Sequence, residues 1–165
     1  MIDYTSIQST LTLLDTEYGR ASSVDLMALY SKLAVLEFAG WIEESFDTLC
    51  NDYITTRIIE ADNQRRINAI IKHVYGFAYD TNVYPMMCSV LGINNWENIL
   101  DAFPAVDFNN MTAVLGSYTS IRNQAAHKNS IPGVATTFNA PSVTIADYNR
   151  MKPAMVYLEG AIGAL

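Results

Sequence analysis

His73 and His127 are the only histidines in the 165-residue chain, and their neighbours decide what chemistry each can do. His127 closes the run Ile121-Arg122-Asn123-Gln124-Ala125-Ala126-His127. On a helix, Asn123 and His127 stand one turn apart on a shared face, so the amide can hold the imidazole in one orientation. Arg122 lies beside the apolar stripe of Leu115 and Tyr118, about 140° around the helix from His127. A guanidinium at an apolar edge is partly desolvated, which strengthens its grip on a phosphate. Ala125 and Ala126 leave a shallow surface on which another helix can approach. His73, in Ile71-Lys72-His73-Val74, reads as a surface or core-edge residue. Other reaction classes leave no trace: there is no Gly-rich phosphate loop, no Cys/His metal spacing and no Gly-x-Ser-x-Gly elbow.

The elements that must carry these residues are helical almost throughout, with no internal repeat and no strict alternation over a strand's length. Ile7, Leu11, Leu14 and Tyr18 predict a first helix over about 4–18. Ser22 with Asp25 resembles a capping box and opens a long helix that reaches about Arg57. That helix is apolar on two sides. Leu26, Leu29, Tyr30, Leu33 and Leu36 form one face, continued by Glu37 and Glu44. Val35, Phe38, Ile42, Phe46, Leu49 and Tyr53 form the other. A helix of this kind is central, or is covered on one side by a partner chain. A third helix over about 63–78 should bury Ile67, Ile70, Ile71 and Val74. Two short helices follow between about 81 and 103, broken at Leu91-Gly92. The segment from about Asn110 to His127 carries Met111, Val114, Leu115, Tyr118, Ile121 and Ala125 on one stripe. Residues 128–141 read as a loop, and Thr144 with Asp147 suggests a capping box opening a terminal helix that kinks at Pro153. The expected fold is all-α, a bundle of four main helices plus short ones, in a single domain spanning residues 1–165.

Half of the residues are hydrophobic and only 16% are charged, which excludes a disordered chain. The net charge of −7 argues against a protein that coats nucleic acid through a broad basic surface. The charge is unevenly spread. Residues 1–62 hold eleven acidic and three basic side chains, whereas residues 63–165 hold six and seven. The negative charge therefore lies away from Arg122 and His127, and Arg65, Arg66, Lys72 and Lys128 can line an approach to them. Cys50 and Cys88 are too few for a disulfide framework and read as reduced, buried and inert. No secretory signal and no apolar run of membrane-spanning length is evident, so the chain reads as cytoplasmic with no membrane partner.

The pattern Arg122-Asn123-x-x-Ala126-His127, near the end of the penultimate helix and followed by a Pro-containing loop and a last helix, resembles the signature of the HEPN superfamily, most closely its RiboL-PSP-type and related branches. About six residues carry that resemblance, while the helical layout extends it over nearly the whole chain. It implies a metal-independent endoribonuclease without cofactors, acting as a homodimer whose motif helices meet at the two-fold interface. Arg122 would then stabilise charge on the scissile phosphate. His127 would serve as general base on the ribose 2′-hydroxyl or general acid on the 5′-oxygen, and Asn123 would orient His127 or bind phosphate. RNA would be the substrate, and DNA, lacking the 2′-hydroxyl, would be inert.

Some members place an acidic residue of the long second helix near the site, for which Glu37 and then Glu44 are the candidates. Asn129 stands where HEPN toxins paired with nucleotidyltransferase antitoxins carry tyrosine, so neutralisation through that tyrosine has no footing here. Tyr84, Tyr118, Thr136, Thr137 and Asn139 can also reach substrate, with nothing to single any of them out. The resemblance points to a toxin or an anti-phage defence effector, with an antitoxin or regulatory protein as a further partner. Two other classes fit the same chain: a non-catalytic HEPN-type module for nucleotide or RNA binding or for dimerisation, and an acidic all-α immunity or antitoxin protein.

Overall fold

The computed structural model describes residues 1–127 and 138–165. Among these the chain is all-α, with seven α-helices, one π-helical turn and no strand. Helix α1 (Tyr4–Arg20) starts where the Asp3 carboxylate accepts hydrogen bonds from the Thr5 and Ser6 backbone N–H groups, donors that the helix itself leaves unpaired. Helix α2 (Val24–Arg57) is capped by Ser23, whose hydroxyl accepts from the Leu26 N–H at 3.3 Å. The cap thus falls one residue later than Ser22, because Ser23 has the extended backbone a cap needs.

Helix α3 (Ala61–Lys72) ends six residues short of the expected Ala78. Gly76 adopts φ 94°, a left-handed turn that favours glycine, and the Asn82 side chain donates to the Tyr75 carbonyl at 3.0 Å. The early stop takes Val74 out of the helix, and Ile70 is exposed rather than buried. A π-helical turn (Tyr79–Val83) leads into α4 (Tyr84–Leu91), and Gly92, at φ 85°, separates α4 from α5 (Ile93–Asp101). Helix α6 (Ala105–His127) begins before the expected Asn110, since the Phe108 N–H already donates to the Pro104 carbonyl. Helix α7 (Pro141–Gly163) starts on its proline, a residue suited to the first turn because no partner is needed for its missing N–H. Thr144 is therefore a buried residue inside α7 and not its cap, and α7 stays helical through Pro153.

Helices α1, α2, α6 and α7 pack on one another and surround one contiguous core. Its centre is aromatic. Phe38 of α2 meets Tyr118 of α6 edge-on at 4.8 Å and Tyr148 of α7 at 6.3 Å, and Trp41 meets Tyr148 at 5.3 Å. Such edge-to-face pairs add specificity of register to the burial of large apolar area. The polar atoms of these rings are used: the Trp41 indole donates to the Asp3 carbonyl and the Tyr148 hydroxyl to the Tyr4 carbonyl. The face of α2 that meets α6 and α7 is the one formed by Val35, Phe38, Ile42 and Phe46. On the other face Leu26 and Leu29 are exposed and Tyr30, Leu33 and Leu36 are half-buried. No described helix is long and apolar enough to cross a membrane.

Cys50 is buried, and burial followed by repulsion from Asp47 pushes its thiol up to about 12. Cys88 is only half-buried; neither cysteine is in a disulfide.

Candidate functional site

Arg122 and His127 both lie on the last turns of α6, in different surroundings. One turn beyond the Phe38–Tyr118 contact, α2 and α6 meet again, and there Arg122 faces Glu43. The Arg122 Nη2 lies 3.2 Å from both carboxylate oxygens of Glu43, and Nη1 donates to the Asn123 side-chain oxygen at 3.4 Å. The two charged side chains are 38% and 30% exposed, which puts the pair at the edge of the core. A guanidinium has more N–H groups than these contacts use, so Arg122 keeps donors for an anion while it is held by Glu43.

Asn123 is exposed, and its amide oxygen turns toward Arg122. Among the described residues no hydrogen bond joins it to His127. His127 is exposed on the final residue of α6, and Ala126 beside it is exposed while Ala125 is wholly buried. The five-residue offset turns Arg122 and His127 to different sides of α6, by about 140°. Lys128, Asn129, Thr136 and Thr137 lie outside the described residues.

Glu37 and Glu44, the acidic candidates from the sequence, are both exposed on α2. They continue the stripe of Leu26, Tyr30 and Leu33, turned about 100 to 120° from Glu43. The carboxylate that reaches Arg122 is Glu43, a residue sequence reasoning missed. A signal was present. Glu43 falls in line with Ala39, Phe46 and Cys50, which sit at helical spacing around it and are all buried. Of the other polar candidates, Tyr118 is buried and donates to the Asp147 carboxylate at 3.2 Å. Burial is the main cause that raises its phenol above the ordinary tyrosine value.

A cavity of about 200 Å³ opens beside the Arg122–Glu43 pair. Glu43, Asp47 and Arg122 line it together with Tyr75, Phe77 and Met86 from the connector after α3 and from α4. Asp47 lies one turn after Glu43 on α2. Its side chain is exposed, and desolvation by the surrounding chain, then repulsion from Glu43 and Glu44, raises its carboxyl above the usual aspartate range. The Tyr75 ring is 82% exposed, whereas Phe77 and Met86 are buried. Lys72, at the end of α3, precedes the connector and is exposed. Arg65, on the first turns of α3, is paired with Asp62. His73 is exposed at the C-cap of α3, and its Nδ1 lies 2.6 Å from the Ala69 carbonyl. Among the described residues no three His, Cys, Asp or Glu side chains converge as a group that can hold a metal ion.

No protein-family model matches this chain, and no curated protein and no solved structure matches it either.

Proposed function

We propose that the chain is a metal-independent endoribonuclease of HEPN type that works as a homodimer. The observation that carries this reading is the placement of Arg122. Packing fixes it at the edge of the core, Glu43 orients it, and it keeps N–H donors to spare on the same helix that ends in the exposed His127. An arginine so held loses little further entropy on meeting a phosphate, and its donors stay aimed as charge builds on the non-bridging oxygens. Arg122 and His127 point about 140° apart on α6, so a single protomer does not aim both at one phosphate and the site would be composite. Two α6 helices meeting about a two-fold axis bring the His127 side chains of both protomers to a phosphate bound by Arg122.

In that site one His127 takes the proton of the ribose 2′-hydroxyl as its oxygen attacks phosphorus. The other gives a proton to the departing 5′-oxygen. The products are a 2′,3′-cyclic phosphate end and a 5′-hydroxyl end, and no metal takes part in these steps. The exposed Ala126 leaves room for the second helix. The biological role that fits is a toxin or an anti-phage effector, restrained by an antitoxin or regulatory partner.

The experiment is cleavage of defined RNA and of the same sequence as DNA, with the ends of the products analysed. The reading expects RNA cut to cyclic phosphate ends, DNA left whole, and toxicity on expression that disappears in His127→Ala. Cleavage of DNA, or 5′-phosphate ends on RNA, contradicts it.

One observation favours a second reading. The Glu43 carboxylate already neutralises Arg122, as it does where an arginine only ties one helix to another. The chain is then a non-catalytic module of the same type, and it binds or dimerises but leaves RNA whole.

A further inference from the structure

We propose that the cavity between α2, α6 and the connector after α3 is a nucleobase pocket that takes guanine, with the Asp47 carboxylate accepting from the base's N1–H and amino group. This deepens the ribonuclease reading and rests on it for its purpose, since Arg122 would bind the phosphate at the cavity's rim.

The walls suit a flat ring. Phe77, Val83 and Met86 are buried and form an apolar floor, in a space of about 200 Å³ that is of the size of a purine. Tyr75 stands at the lip with its ring almost wholly in solvent. That placement gains nothing for folding, but an exposed ring beside an apolar slot is what a base stacks on. The lip is held in place, since the Asn82 side chain donates to the Tyr75 carbonyl and Gly76 makes the turn behind it.

Asp47 is the second signal. Among the described residues it has no ion pair and no hydrogen bond, and it is exposed at the cavity one turn from Glu43. Its oxygens are open to solvent at the cavity and free to accept from a ligand that brings its own donors.

The chemistry of the edge selects the ligand. Arg122 keeps N–H donors to spare beside Glu43, and Asp47 offers two acceptors, so the edge suits a ligand that joins an anionic group to neutral donors, as a nucleotide does. Guanine is the base that offers two adjacent donors, N1–H and the amino group, to the two oxygens of one carboxylate. Adenine and cytosine put a ring-nitrogen lone pair next to their amino group, and uracil flanks its N–H with two carbonyls. Each of these sets a lone pair against a carboxylate oxygen.

The test is equilibrium titration of the full chain with GMP, AMP, CMP and UMP, followed by the backbone amide resonances of residues 74–77. Asp47→Asn and Tyr75→Ala are measured beside the wild type. GMP should bind at least about tenfold more tightly than the other three. Asp47→Asn should erase that preference, and Tyr75→Ala should weaken all four alike by several-fold. Equal affinities, no binding at all, or a guanine preference that survives in Asp47→Asn overturns the proposal. So does arginine amide binding the cavity in place of nucleotides, which would mark it as a seat for a basic side chain of a protein partner. The titration involves no cleavage, so the two readings fail separately. RNA cut by a protein that binds no GMP removes the pocket and leaves the nuclease. GMP bound with Asp47 dependence by a protein that cuts no RNA keeps the pocket and removes the nuclease.

Discussion

Arg122 and His127 lie within the last turns of one helix, yet the chain treats them differently. Arg122 is half-buried and held by its own protomer, by Glu43 across from it and by Asn123 next to it. His127 sits exposed at the helix end, with no hydrogen bond among the described residues. A side chain placed by its own protomer couples function to stability, so changing it disturbs both. A side chain left at the surface takes its working geometry from whatever docks there, and changing it should touch function alone. On the proposed reading, Arg122 would be the half of the site set within each protomer, and His127 the half completed at the surface by a second protomer and RNA.

The sharpest way to break that contrast is His127→Ala. The expected loss of RNA cleavage is on the order of 10²- to 10⁴-fold, the usual worth of a general acid or base. The melting temperature should stay where it is, as read by thermal unfolding followed by circular dichroism.

Arg122→Ala should lower cleavage by roughly 10²- to 10³-fold. Unlike the histidine change it should also lower stability, by up to about 1 kcal/mol, because the partly solvated pair with Glu43 is lost. Denaturant titration measures this. Equal stability losses in the two variants would erase the distinction between the two ends of the site.

Glu43→Gln should act more mildly, since the amide can still accept from Arg122. Cleavage should fall by about tenfold, and stability should change by less than about 1 kcal/mol, as expected for a partly solvated pair.

The smallest effect expected concerns Asp47. Its carboxyl titrates above the ordinary aspartate range in the folded chain, so the folded state holds the proton more tightly than the unfolded state. The stability from that preference is present below the ordinary aspartate value and is lost as pH rises through the raised one. Asp47→Asn should therefore raise the melting temperature at neutral pH, and the gain should shrink as the pH falls below the usual aspartate range. A gain that persists unchanged in acid would show that Asp47 is not strained by its surroundings.

Much of the fold was legible because the apolar spacing of the long elements is strong. Val35, Phe38, Ile42 and Phe46 stood out as one of two apolar stripes on α2, and Met111, Leu115 and Tyr118 as the stripe of α6, and all of these are buried. Ends were less legible, because they depend on local backbone geometry. The Ser23 cap, the stop at Lys72 and the start at Pro141 each turn on one residue's conformation or on one hydrogen bond from afar, such as that of Asn82 to Tyr75.

In the candidate site, Arg122, Asn123 and His127 could be named from their spacing, but the carboxylate opposite could not. Periodicity showed two apolar stripes on α2 without telling which would face α6. Glu37 and Glu44 extend the stripe that stays exposed, and Glu43 flanks the one that is buried. The cavity was beyond reach for a similar reason. It joins Asp47 to Tyr75 and Met86, residues from separate elements, through a turn at Gly76 that no pattern of hydrophobicity announces.

The most direct test is the rate at which the purified protein cuts total RNA in excess EDTA, measured beside His127→Ala with both proteins shown to be folded and dimeric. The account predicts steady cleavage by the wild type and none above background by the variant. RNA left equally intact by both would contradict it.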